Sequence, residues 1–165
     1  MPINAFPQWT PALLQEQIDA HKHRPGALLP ILHAIQDRFG HIPREAVPLI
    51  AESLQLTRAE VHGVISFYHH FRTSPPGRHV VQICRAEACQ ARGSRALEMH
   101  ARETLGIDYH QTSADREITL EPVYCLGNCA CGPSLRVDDR ILARVTPERF
   151  DRLVDELTTQ VLKVS

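Results

Sequence analysis

Apolar residues recur at three- and four-residue steps through the first part of the chain, and the pattern changes at Thr73-Ser-Pro-Pro-Gly77. Before that stretch the spacing predicts four short amphipathic helices and no strand. Thr10-Pro11 starts the first, with Leu13, Leu14 and Ile18 as its apolar edge, and Gly26 breaks the pattern. Leu28, Leu32, Ile35 and Phe39 mark a second helix; Pro30 is tolerable near its first turn and Gly40 is placed to end it in a left-handed cap. A third runs from about Pro43 to Leu54, with Val47, Ile50, Ala51 and Leu54 on one side. Thr57-Arg-Ala-Glu60 is a capping box for the fourth, whose buried stripe is Val61, Val64, Ile65 and Tyr68. Short loops between short helices predict an antiparallel bundle over residues 1–76, a packing and docking module without catalytic residues.

Beyond the prolines, His79-Val-Val-Gln-Ile-Cys84 reads as a strand that ends in a cysteine. A helix is expected from about Ala91 to Leu105, with Leu97, Ala101 and Leu105 in register and Gly106 as terminator. Ile118 to Cys125 reads as a second strand, again ending in a cysteine. Leu135 and Val137, Asp138-Asp139, then Ile141 and Leu142 or Ala143 predict a hairpin. Thr146-Pro147 caps a last helix striped by Phe150, Leu153, Val154, Leu157 and Val161. A strand–helix–strand unit implies a parallel pair with a right-handed crossover. The order β-α-β, β-β-α over residues 77–165 is that of a thioredoxin-like layer, and it sends both cysteine turns off the same end of neighbouring strands.

Composition narrows the classes. Hydrophobic content of 43%, charged content of 22% and a formal net charge of −1 are ordinary for a soluble globular protein and give no reason to expect nucleic acid or an anionic membrane as partner. No apolar window approaches a membrane span, and the first residues do not read as a secretory signal, so a cytoplasmic chain is expected. Ten histidines are scattered; His69-His70 and His21-Lys-His23 read as surface polar residues.

The chemistry lies in five cysteines. Cys84-Arg-Ala-Glu-Ala-Cys89 is C-x4-C, Cys125-Leu-Gly-Asn-Cys129 is C-x3-C, and Cys131 follows. Two such turns face to face make a four-sulfur cage, which suits structural zinc or a [2Fe-2S] cluster, and spacing leaves both open. Disulfide exchange would favour a C-x-x-C before a helix, which is absent. Gly127, Gly132, Arg85, Arg92 and a helix starting near Ala91 could supply the N–H donors and positive field that a cluster of net negative charge needs. Without G-x-G, G-x-S-x-G or H-E-x-x-H there is no place on this chain for NAD, flavin or hydrolytic chemistry.

These cysteine spacings, Cys-Leu-Gly-x-Cys in the second pair, Leu28-Leu-Pro-Ile-Leu32, Phe39-Gly-His-Ile-Pro43, Val61-His-Gly-Val-Ile-Ser-Phe-Tyr68 and Pro76-Gly-Arg-His79 resemble the thioredoxin-like [2Fe-2S] subunit family of NADH:quinone oxidoreductase from about residue 25 onward. The form Ala-Glu-Ala-Cys-Gln is most similar to the gamma subunits of soluble NAD-dependent, molybdenum-containing formate dehydrogenases. The resemblance implies an α/β chain: an N-terminal antiparallel helical bundle, then a thioredoxin-like [2Fe-2S] ferredoxin domain. It also implies one cluster on Cys84, Cys89, Cys125 and Cys129, the first pair on one iron and the second on the other. FMN and NAD would sit on a partner subunit, and this chain alone would not turn over substrate. The equivalent subunit of a respiratory complex or an NAD-linked hydrogenase, and a structural-zinc interaction module, stand as alternatives. Cys131 departs from the family pattern and is expected to be a small residue near the site rather than a reserve ligand.

Overall fold

Thr10 begins the helical part: its Oγ1 accepts from the Leu13 N–H at 3.3 Å, and α1 runs Pro11–His21. The computed structural model describes residues 6–159, and the chain divides into two compact units between Pro75 and Pro76. In the first unit α2 (Leu28–Phe39) ends at Gly40 with φ 76°, where a Cβ would also run into the Phe6 ring. Glycine is needed there on both counts. Helix α3 is Ala46–Leu54. It starts three residues later than the expected Pro43, because Ala46 N and Val47 N bond back to Pro43 O and Arg44 O in a three-residue turn. Helix α4 (Arg58–Phe67) has the expected capping box, with Thr57 N donating to Glu60 Oε2 at 2.7 Å and Glu60 N to Thr57 Oγ1 at 3.2 Å.

The four helices share one core in which Leu14, Ile18, Ile31, Leu32, Ile35, Phe39, Ile50, Val61 and Ile65 are buried. Tyr68 is not part of that stripe. It follows the last turn of α4 with an extended backbone and is 43% exposed. A buried glutamine closes the unit instead: Gln36 Nε2 donates to His70 O at 2.8 Å, and its Oε1 accepts from Arg72 N at 2.7 Å. The segment after α4 is thereby pinned to α2, and both ends of a buried amide are satisfied.

In the second unit β1 spans His79–Cys84, as its run of β-branched residues predicts. The expected helix follows with a later start, at Ser94 rather than Ala91, and a short one precedes it. Residues Glu87–Gln90 form the short α5, Gly93 at φ 97° breaks the chain, and α6 is Ser94–Leu105, ended by Gly106 at φ 64°. A two-residue strand, β2 (Gln111–Thr112), precedes β3 (Ile118–Val123). Strand β3 stops two residues short of Cys125, because φ 133° at that cysteine takes the chain out of strand geometry. A 3-10 turn at Cys129–Cys131 leads to β4 (Leu135–Val137), β5 (Arg140–Leu142) and α7 (Pro147–Thr159). Val161, expected in the last stripe, lies outside the described residues.

The sheet order is β2-β3-β1-β4-β5. Strands β1 and β3 are parallel, with Cys84 opposite Val123; β4 runs antiparallel to β1 and pairs with β5 as a hairpin. The hairpin residue Asp138 (φ 52°) does more than turn: its carboxylate accepts from Val80 N at 2.9 Å and meets His79 Nδ1 at 2.8 Å, latching the start of β1. Val81, Ile83, Ile118, Leu120 and Leu135 of the sheet pack with Leu97 and Ala101 of α6 and Phe150 of α7 in one core. Among the described residues no helix is long and apolar enough to cross a membrane.

Candidate metal centre

Because β1 and β3 are parallel neighbours, the segments leaving Cys84 and Val123 depart from the same edge of the sheet. Cys84 is the last residue of β1 and Cys89 lies in α5; each is 1% exposed. Their sulfurs are within hydrogen-bonding reach of one another. Burial pushes the Cys89 thiol up, and the Cys84 sulfur pushes it further, while the Ser134 N–H donates to it and works the other way. Cys125 and Cys129 are exposed, with sulfurs 3.6 Å apart. The Gly127 N–H donates to Cys125 Sγ at 3.3 Å and, with the Cys129 thiol, draws Cys125 below the ordinary thiol range. Cys129, sharing that proton, is pushed up by Cys125.

The pairs also face each other. Cys84 acts electrostatically on Cys129, and Cys129 on Cys89. A Cβ on Gly132 would stand 3.2 Å from Cys89 Sγ and 3.1 Å from Arg92 Cδ, so the second turn rests directly on the first. Among the described residues no three His, Cys, Asp or Glu side chains are grouped as the ligands of a single ion. The thiols are arranged two by two. Four soft sulfur donors in two facing pairs suit two irons held by two thiolates each.

Of the two arginines expected near the thiols, Arg92 lies beside Gly132 and the Cys89 turn, whereas Arg85 is engaged elsewhere. Its Nε pairs with Glu98 at 3.0 Å and its guanidinium lies 5.3 Å from the Tyr109 ring centre, with Arg102 at 4.9 Å from the same ring. Burial pushes the Tyr109 phenol up, with Glu98 adding to it. The helix meant to point at the site starts at Ser94 rather than Ala91, and Ser94 Oγ donates to the Cys84 carbonyl at 2.5 Å.

Ser134 is a residue that spacing did not single out. It is fully buried. Its carbonyl accepts from Cys84 N at 3.0 Å, its N–H serves Cys89, and its hydroxyl takes Asn128 Nδ2 at 3.2 Å and reaches the Cys131 carbonyl at 3.4 Å. It therefore ties the end of β1, the first turn and the second turn together. A serine between a Gly-Pro and a strand is the only trace of this in the sequence. Ser134→Ala is expected to lower stability by about 1–2 kcal/mol, since Asn128 loses its buried partner. A denaturant midpoint unchanged from wild type would contradict that role. Cys131 sits in the 3-10 turn, its N–H bonded to Asn128 O and its carbonyl accepting from Arg144 N at 2.8 Å.

Residues 14–158 match the thioredoxin-like [2Fe-2S] ferredoxin family. The chain is 32% identical over 142 residues to a subunit of the NADH-quinone oxidoreductase of Pseudomonas aeruginosa, covering 86% of each. It is 29% identical over 139 residues to the HndA subunit of the NADP-reducing hydrogenase of Solidesulfovibrio fructosivorans, covering 84% of this chain and 81% of that one. Among solved structures, NAD+-reducing [NiFe]-hydrogenase in the air-oxidized state shares the fold, with a TM-score of 0.69 at 24% identity. The likeness covers 85% of this chain and 24% of the hydrogenase chain, so this chain spans about a quarter of that one.

Proposed function

Because the chain belongs to the thioredoxin-like [2Fe-2S] ferredoxin family, we propose that it is a one-electron carrier whose Cys84, Cys89, Cys125 and Cys129 hold one [2Fe-2S] cluster. The observation that carries this reading is the meeting of two thiol pairs off the ends of the parallel strands β1 and β3. Bound there, the cluster would supply reversible uptake of a single electron. The chain's own residues prepare the ligands. The N–H groups of Gly127 and Ser134 each donate to one sulfur of a pair, spreading thiolate charge, and Arg92 adds a cation beside the first turn. Burial keeps water from Cys84 and Cys89, while Cys125 and Cys129 stay open to the outside.

The partner expected is a flavin- and NAD-binding subunit, carrying FMN and NAD, in a multi-subunit cytoplasmic dehydrogenase. Relatives named as subunits of NADH-quinone oxidoreductase and of an NADP-reducing hydrogenase support that class. The sequence Ala-Glu-Ala-Cys-Gln favours the formate dehydrogenase branch of it. The helical residues 1–76, read as an antiparallel bundle, would dock against the flavin subunit, with residues 77–165 as the cluster domain. Purified protein should be reddish-brown, hold iron and sulfide in equal amounts, bleach on reduction and then give a paramagnetic signal. A colourless protein with stoichiometric zinc would overturn the reading. Co-purifying subunits with formate-dependent NAD reduction would identify the branch; quinone- or hydrogen-linked partners would replace it.

A further inference from the structure

A second feature of the C-terminal unit lies between β5 and α7, where a groove of about 220 Å³ opens to solvent. Arg140 comes from the strand, and Arg149 and Arg152 from the first turns of the helix; Glu156 is the one carboxylate lining it. Leu142, Val145 and Leu153 supply apolar surface between these charges. All three arginines are exposed. The Arg149 guanidinium donates to the Ala143 carbonyl, which holds it over the groove. Among the described residues, Arg140 and Arg152 have no ion-pair partner. Three guanidinium groups around one carboxylate repel each other, and the chain as a whole carries a formal charge of only −1. The lining carries three cations against one carboxylate, and an anion would offset that excess.

The groove is joined to the cysteine turns. Val145, in its lining, donates its N–H to Pro133 O at 3.0 Å, and the adjacent Arg144 N–H donates to Cys131 O at 2.8 Å. One wall of the groove is thus tied through the backbone to the turn that follows the second thiol pair. We propose that this groove docks an acidic segment of a redox partner protein, a proposal that rests on the electron-carrier reading above. Planar guanidinium forks match side-chain carboxylates, and the leucines and valine between them match an extended peptide better than a small free anion. Charges at a docking rim act mainly by speeding encounter and fixing orientation, which a one-electron carrier requires.

The test uses the full purified chain and a fluorescein-labelled hexaglutamate peptide, followed by anisotropy at low salt. Arg140→Glu with Arg152→Glu is expected to weaken binding by about tenfold or more, Arg140→Gln with Arg152→Gln by less, and Glu156→Gln to tighten it. Arg44→Glu with Arg58→Glu makes the same change in net charge in the other unit and should leave binding within about twofold. Unchanged binding in the groove variants, or equal loss in the control, would overturn the proposal. So would displacement of the peptide by an equal concentration of inorganic phosphate, which would make the groove a small-anion site. The visible spectrum of each sample reports the cluster separately. Peptide binding by a colourless chain would sink the carrier reading, and a coloured chain that ignores the peptide would sink only the docking site.

Discussion

Serine in place of Cys84, Cys89, Cys125 or Cys129 is expected to strip the chain of iron, from about two atoms to near none. Burial makes the first pair the least tolerant of the change. Cys84 and Cys89 are each 1% exposed, so a serine hydroxyl there is a harder, poorer ligand that is also buried without water to serve it. For the second pair the question is whether Cys131 can stand in for Cys129. Its backbone is held on both sides, by Asn128 O and by the Arg144 N–H, so the turn cannot shift Cys131 into the Cys129 position without losing both bonds. Cys129→Ser should therefore hold as little iron as Cys129→Ser with Cys131→Ser, and Cys131→Ser alone should keep its colour. Iron and sulfide analysis decides this, with circular dichroism to verify folding. Colour in the single Cys129 variant that vanishes in the double would make Cys131 a substitute ligand.

Phe150→Ala should lower stability by about 3–5 kcal/mol. Phe150 is fully buried between α7 and the sheet, and the His100 ring meets it edge-on at 6.2 Å between centres. Truncation leaves a cavity where α6, α7 and the strands converge, and those elements are too mutually constrained to collapse into it. A urea midpoint lowered by about 2 M would be the signature, given slopes of about 1–3 kcal/mol per molar. Phe67→Ala is the matched control. That ring is 75% exposed, and its loss should move stability by less than about 0.5 kcal/mol. Equal effects of the two substitutions would refute the assigned core.

Strand β1 is legible to the residue, because a β-branched run with a cysteine at its end leaves little choice of register. The Thr57–Glu60 box and the Gly40 cap are legible because both ends of each interaction lie within one turn. Gln36 and Ser134 are not. Gln36 finds partners 34 and 36 residues away, and Ser134 joins two turns that are distant in sequence, so neither leaves a periodic trace. Apolar spacing marks the body of the helix through Leu97, Ala101 and Leu105 but not its start, which the left-handed Gly93 sets at Ser94 rather than Ala91. Cys125 reads as the end of a strand because its neighbours have β propensity, but its own φ of 133° takes it out of strand geometry.

The sheet carries its longest strands, β1 and β3, in the interior, and its margins are β2 and β5, of two and three residues. Fibrillar stacking and strand exchange both need a long, flat row of unpaired amides to begin on. Margins this short offer only a few such groups, so the sheet presents little template on which a second copy could add a strand.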